Sequence, residues 1–514
     1  MKKHFIRDRK VRYGGITLLL TVLVVAVTLL INAVFGSLAT RYEWFVDMNE
    51  LGMFDVTDDC YAYLENVFAA ESKSDNHKKV KIIFCDILEN LEEESTQSQL
   101  YHTATLLQAR FPEWIEVVCY DILTNPNYVR DYTTTVDLHT GKVIDIRIAT
   151  TDVVMVSEGY HRVYSLSEFF SFKGNEAENL WAYNGERKLA AGIMRAVTPN
   201  RPTVCFTNNH GEVYFDYELV TLLDDAGYDV TYIDLYKEPI PEACSLIITY
   251  NPMSDLVEDS LSAVSEKAIL ENYLQKENNA YWVFLGNTSS VLPNFESFLE
   301  DWGADFAYHT SGSKQYRYMV QDTSQSLTTD GYTIYGEAIT SGKGAELLGN
   351  LNRTAVFKNA TAIDPASGYM NNGDGSYTKG DRVMHALYTG GENAVSWANG
   401  NAVEDADQAI LMSLTEQSLA NGKSYVGVLS SCEFATETFL QSAVYGNADV
   451  ICAELEFQGR ENTPIGLTLK PFEQTEISTV TTRQMLVWTL CLSLIPAVTV
   501  TAVAVGVLLR RRRV

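Results

Sequence analysis

The chain has 514 residues, of which 46% are hydrophobic and 11% aromatic; this allows two or three domains with a sizeable core and excludes a disordered or low-complexity protein. Its formal net charge is −27, yet the first twelve residues hold six basic groups and positions 510–513 are all arginine. Between these tails lie 29 basic and 65 acidic residues, a balance that repels nucleic acid and excludes that class of partner.

Behind the basic tail at 1–12, residues 13–40 carry no charge, and 16–38 alone is long enough to cross a hydrocarbon core of about 30 Å at about 1.5 Å per residue. This run predicts a transmembrane helix. A cleaved signal peptide competes, since Ser37 and Ala39 are small, but the apolar region exceeds an h-region of roughly 7–15 residues, which favours an uncleaved anchor. Residues 484–509 form a second uncharged run, with Pro496 inside it and the arginine tail 510–514 behind it. Basic clusters beside both runs predict a two-pass protein of the cell membrane with both termini cytoplasmic and its acidic bulk outside.

Residues 41–180 read as a first extracytoplasmic α/β domain. Thr57–Phe68 and Gln99–Arg110 are expected helices; Lys79–Phe84, Ile115–Tyr120 and Val153–Ser157 are expected strands, with a loop at Asp121–Asp131. The boundary is expected near Phe172–Asn184. Residues 181–470 read as a second α/β domain. Its strands are expected at Thr203–Thr207, Asp229–Asp234, Ser245–Thr249, Tyr281–Leu285, His385–Tyr388 and Tyr425–Leu429. Helices are expected at Phe215–Ala226, Val264–Gln275, Phe295–Trp302 and Thr436–Tyr445, with a helix-like run at Ala409–Leu414. Strands alternating with helices of this length imply a parallel sheet with helical crossovers. Positions 311–382 read as a β-rich excursion with Asn371–Ser376 as a polar hairpin tip, Gly466–Lys470 as a last strand, and 471–483 as a linker to the second span. The eight cysteines include no C-x-x-C pair and sit on short apolar runs, which favours buried free thiols over a disulfide framework.

Chemistry-bearing motifs are few. There is no Walker loop, no G-x-G-x-x-G after Thr203–Thr207 and no H-E-x-x-H or close Cys/His pair, so the residues imply no phosphate-cradling loop, cofactor or metal. Two loops leave the carboxyl ends of expected strands, where open α/β sheets place ligands. One is Asn208, Asn209, His210, Gly211 and Glu212; the other holds Cys432 and Glu433. His210 and Glu212 could serve as a base or metal ligand, but a loop that holds its own turn or faces a partner is the better reading without a nearby nucleophile. Cys432 stands at a strand end but lacks the flanking glycines of a nucleophile elbow.

Asn184-Gly185-Glu186, the helix Lys188–Ala196, Pro202–Thr207 and His210-Gly211-Glu212 together resemble the corresponding join in GldG-like auxiliary components of ABC transporters, named for gliding motility. The likeness continues through Ala226–Leu235, Pro239–Leu256, Tyr425–Phe434, Tyr445–Val450 and a proline-containing last span ending in arginines. It departs at Asn208 and Asn209 and at the Ser430–Phe434 loop. The resemblance implies a thioredoxin-like domain followed by a Rossmann-like domain similar to the class I glutamine-amidotransferase sheet without its catalytic residues. It also implies a non-enzymatic, membrane-anchored accessory subunit whose partners are an ABC permease and ATPase, with Asn208–Glu212, Cys432 and Glu433 as a partner or ligand surface. Two rival readings are a membrane-anchored surface hydrolase or amidotransferase-like enzyme using Cys432 or His210, and a solitary adhesion or sugar-binding receptor with an aromatic cleft in the excursion.

Overall fold

A computed structural model describes residues 55–472, apart from 74–77, 94, 173–179, 260–263, 287–290, 399–400, 404–408, 443, 460–462, 465 and 468. Both expected membrane spans and both tails lie outside the described residues; among the described ones, no helix is long and apolar enough to cross a membrane. The described part is a mixed α/β structure in which, from Val56 onward, the chain forms one unit.

The first sheet is built from β1 (Val80–Phe84), β2 (Ile115–Cys119), β3 (Val153–Ser157) and β4 (Tyr160–Tyr164) in the order β2-β1-β3-β4. β1 and β2 are parallel; β3 runs antiparallel to β1, and β4 to β3. The parallel pair is joined by helix α2 (Ser95–Arg110), as a parallel connection requires. Helices α1 (Asp58–Lys73), α2 and α3 (Gly185–Val197) pack on one another, and α2 and α3 pack against this sheet. The expected boundary at Phe172–Asn184 is bridged by pairing: Leu180–Tyr183 lies between Phe170–Phe172 and Lys470–Pro471 in a small antiparallel sheet.

All thirteen residues of α3 are buried. One side meets the first sheet, where a Cβ at Gly192 would fall 2.3 Å from Met155 Sδ, so a larger residue there would have to displace the methionine. Its cationic side chains cannot reach bulk water, and each is answered by a carboxylate. Lys188 Nζ and Arg187 Nε lie 2.7 and 3.2 Å from the Asp225 carboxylate, and Arg195 reaches Asp224 and Asp229 at 3.3 and 2.8 Å. Arg162 of β4 joins the same layer, 2.6 Å from Asp224.

Asp224 and Asp225 end helix α4 (Glu218–Asp225), the first crossover helix of the large sheet. That sheet runs β6-β5-β7-β8-β11-β10-β9 and continues into Ser376–Lys379 and Met370–Asn371. Its members are β5 (Thr203–Thr207), β6 (Asp229–Ile233), β7 (Cys244–Tyr250), β8 (Ala280–Phe284), β9 (Arg382–Thr389), β10 (Ile410–Ser418) and β11 (Lys423–Leu429). β6, β5, β7, β8 and β11 are all parallel, whereas β10 and β9 add antiparallel strands. α4 and α7 (Asn447–Phe457) cover one face, filling it with Leu222, Leu223, Ile451 and Leu455 against Phe206, Ile248 and Trp282. α5 (Glu266–Tyr273) and α6 (Pro293–Asp301) cover the other, with Leu270, Phe295 and Phe298 against Tyr281 and Val283. Gly303 ends α6 at φ +97°, the left-handed conformation expected of its cap.

Three expectations are corrected. Ala409–Leu414 is not helical: it begins β10, whose first eight residues are buried between two neighbouring strands, so the apolar run carries no face to reveal its period. Helix occupies only Glu437–Leu440 of Thr436–Tyr445, and the last strand shrinks to Lys470–Pro471. The excursion is β-rich, with one short helix at Gly342–Leu348, and Asn371–Ser376 is a hairpin tip with Gly373 and Gly375 both at positive φ. The seven described cysteines are free thiols, six buried and Cys119 partly exposed. The edge strand β6 is shadowed by the tip of the hairpin Thr134–Asp137/Lys142–Asp145. Tyr232 Oη donates to Leu138 O at 3.1 Å, and Gly141 lies against Val230 O and Thr231.

Candidate functional site: a crevice at the carboxyl ends of the parallel strands

β5, β7, β8 and β11 all point their carboxyl ends at one rim, and the segments leaving them enclose a crevice of about 220 Å³. Val213 and Phe215 follow β5, Asn251 and Met253 follow β7, Leu285 follows β8, and Ser431, Cys432 and Glu433 follow β11. Lys358 and Asn359, from the excursion, supply the remaining wall.

Its polar side is braced throughout. Asn251 takes φ +50°, donates from its backbone to Phe284 O at 2.8 Å and from Nδ2 to Val213 O at 3.1 Å. Its Oδ1 occupies the space beside Gly286, where a Cβ would come within 1.7 Å. Asn359, at φ +54°, donates to Glu433 Oε1 at 2.5 Å, and Lys358 Nζ pairs with Glu433 Oε2 at 2.5 Å. Ser431 Oγ donates to Lys358 O, and Tyr250 Oη to Cys432 O at 2.7 Å. The opposite lip is apolar and open: Val213, Phe215 and Met253 are 48, 56 and 45% exposed.

The two candidate loops have different fates. Cys432 and Glu433 line the crevice. His210 and Glu212 stand behind its lip and do not line it. The His210 imidazole is sealed between two carboxylates, Nδ1 lying 3.2 Å from Glu212 Oε1 and Nε2 3.0 Å from Glu266 Oε2. The main chain of His210 also joins the loops, its N–H donating to Glu212 at 2.8 Å and its carbonyl accepting from Met253 and Ser254 at 2.9 and 2.8 Å. Asn209 Nδ2 donates to Glu266 at 2.6 Å, Asn208 N donates to Ile233 O at 3.1 Å, and Gly211 turns at φ +68° against Met253. Thr207 Oγ1 lies 2.6 Å from Glu212 and 3.0 Å from Thr249 Oγ1; having one hydrogen, it donates to the carboxylate and accepts from Thr249.

The electrostatics follow from these contacts. Burial disfavours the imidazolium, but hydrogen bonds to Glu212 and Glu266 outweigh it and hold the His210 pKa up at about 9. Burial opposes ionisation of both carboxylates, yet His210, together with Thr207 for one and the Val257 N–H for the other, keeps them below their usual range. His210 thus stands between two carboxylates, with all three side chains buried. At Cys432, burial, aided by the Glu433 charge, pushes the thiol up to about 12. Among the described residues no group of His, Cys, Asp and Glu is arranged to hold a metal ion.

Glu266, Asn251, Lys358 and Asn359 were not legible as site residues. Glu266 follows Ser265, whose hydroxyl caps α5, and reads as an ordinary acidic first-turn residue. Asn359 and Glu433 are 74 positions apart, a separation with no local signal. No protein-family model, no curated protein and no solved structure matches this chain.

Proposed function

We propose that this protein is a non-enzymatic, membrane-anchored accessory subunit of an ABC-type transport system, gliding-motility-like, whose extracytoplasmic body binds a partner or substrate at the strand-end crevice. The observation that carries the reading is the state of the thiol that lines the crevice. Cys432 sits where an α/β enzyme would place a nucleophile, yet it is held protonated and among the described residues has no imidazole beside it, His210 being locked between Glu212 and Glu266. What remains is a braced polar wall facing an open apolar lip, a surface suited to binding.

Two further features support it. The β2-β1-β3-β4 order and directions suit a thioredoxin-like domain, and the parallel half of the large sheet, with helices on both faces, suits a Rossmann-like domain similar to class I glutamine amidotransferases. Two spans are too few to form a transport path, so the proposed permease and ATPase must supply it. Affinity purification after gentle extraction is expected to bring down a many-span permease and a Walker-loop ATPase. Recovery of the chain alone, together with a hydrolytic activity abolished by Cys432→Ala, would replace this reading with the enzyme.

A further inference from the structure

The first sheet has helices on one face only. On the other lies a small core of Ile83, Cys85, Ile122, Val129, Val154 and Val163, and none of its described members, buried or partly buried, comes from an α-helix. Above it stand a 3₁₀ turn at Pro126–Tyr132 and the segment around Ile146–Thr150, and between these two a groove of about 580 Å³ opens to solvent. Its volume is that of a small-molecule site. Its sides are Leu123, Val129, Ile146 and Ile148, with Leu123 79% exposed.

The charges on this groove are unlike those elsewhere. Ten arginines fall among the described residues, and eight of them form ion pairs. The two that form none, Arg130 and Arg147, both line this groove. No acidic residue lines it, in a chain whose net charge is −27. The nearby Asp121 is taken up by Leu123 N, Thr124 N and Thr124 Oγ1, and Asp152 by Ala149 N at 2.8 Å. Asp131 and Asp145 are exposed and outside the lining, and Asp137, also outside it, is taken up by His139 N at 2.8 Å and Thr140 Oγ1 at 3.0 Å.

We propose that this groove binds a single-chain amphiphile with an anionic head, such as a medium-chain fatty acid, its carboxylate held by Arg130 and Arg147 and its chain laid along Leu123, Ile146 and Ile148. A planar guanidinium matches a carboxylate in two parallel hydrogen bonds, and two of them on the wall of an apolar trough select a molecule that is charged at one end only. The concavity favours a free molecule over a bilayer, whose headgroups meet a protein before its chains do.

The test uses the full chain in nanodiscs of zwitterionic lipid and a decanoic acid probe bearing a terminal diazirine, with labelled peptides identified by mass spectrometry. Labelling is expected to concentrate in 122–150, to be competed by unlabelled decanoate but not by decanol or inorganic phosphate, and to fall by about tenfold or more in Arg130→Gln/Arg147→Gln. Both side chains are exposed, so the variant is expected to keep its thermal midpoint; Leu123→Asp, which spoils the trough and leaves the arginines, should lower labelling too. Labelling elsewhere, equal labelling of the double variant, or competition by decanol would overturn the site. Protection of the groove by anionic lipid in the disc, at the level given by decanoate, would overturn the free amphiphile in favour of a lipid headgroup.

Discussion

Glu186 and Lys470 stand 284 positions apart and form an ion pair with both side chains buried. The same carboxylate accepts from Thr57 N at 3.1 Å and Thr57 Oγ1 at 2.8 Å. One side chain at the start of α3 therefore fastens both ends of the folded body. Removing either partner leaves the other charge buried and unpaired, so Glu186→Ala and Lys470→Ala are each expected to destabilise by about 3–5 kcal/mol. Replacing both, as in Glu186→Ala/Lys470→Ala, should cost less than the sum of the single changes. Urea unfolding of the four proteins checks this; strict additivity would mean that the pair carries no coupling.

The His210 cluster predicts a dependence of stability on pH. Its folded pKa of about 9 exceeds the ordinary 6.5, so its contribution is full below 6.5 and is lost as pH rises through about 9. Glu212 and Glu266 are depressed, so theirs is present above the usual carboxylate range and is lost as pH falls through their lowered values. Denaturant midpoints should therefore fall between pH 6.5 and 9. In His210→Gln that alkaline slope should flatten while the protein loses about 3–5 kcal/mol at neutral pH, since two buried carboxylates lose their cation. An unchanged slope in the variant would place the titrating group elsewhere.

Thiol chemistry separates the crevice from an active site. In the native protein Cys119, the partly exposed one, should react first with an aromatic disulfide reagent. Cys432 should react only at the rate of unfolding, because its thiol is buried and held protonated. Rapid labelling of Cys432 at neutral pH would revive the enzymatic reading.

At the crevice rim, Gly286→Ala should push Asn251 off its site and release its hydrogen bond to Val213 O, at a cost of about 1–3 kcal/mol. Asn251→Gly keeps the positive φ and removes the obstructing amide. In that background Gly286→Ala should cost little, and a thermal-shift cycle over the four proteins reads the difference.

Much of this architecture was legible in the sequence because its strands are short, β-rich and bounded by turn residues: Thr203–Thr207 and Tyr425–Leu429 fall within β5 and β11. The reading failed where burial is complete on every side. Ile410–Leu414 has no exposed face to show a period of two, and α7 went unnoticed because Asn447, Asp449 and Glu454 are buried along with Val450, Ile451 and Leu455. The candidate site was half legible. Strand ends marked the rim, and Cys432, read from the sequence as standing at a strand end, lines the crevice. The locking of His210 was hidden, since Glu266 is 56 residues away and becomes its neighbour only when the chain after β7 folds back along the sheet.

The hairpin tip lying along β6 closes one edge of the large sheet to another chain. Unpaired edge strands invite another chain to add itself and, repeated, lead to fibres. With Leu138 and Gly141 standing against Tyr232 and Val230, that edge is not open to such growth. The opposite end tapers to the two-residue strand Met370–Asn371 beside a glycine-rich tip, too short a template to seed a continuous ladder. Growth through the large sheet is therefore blocked at one side and starved at the other.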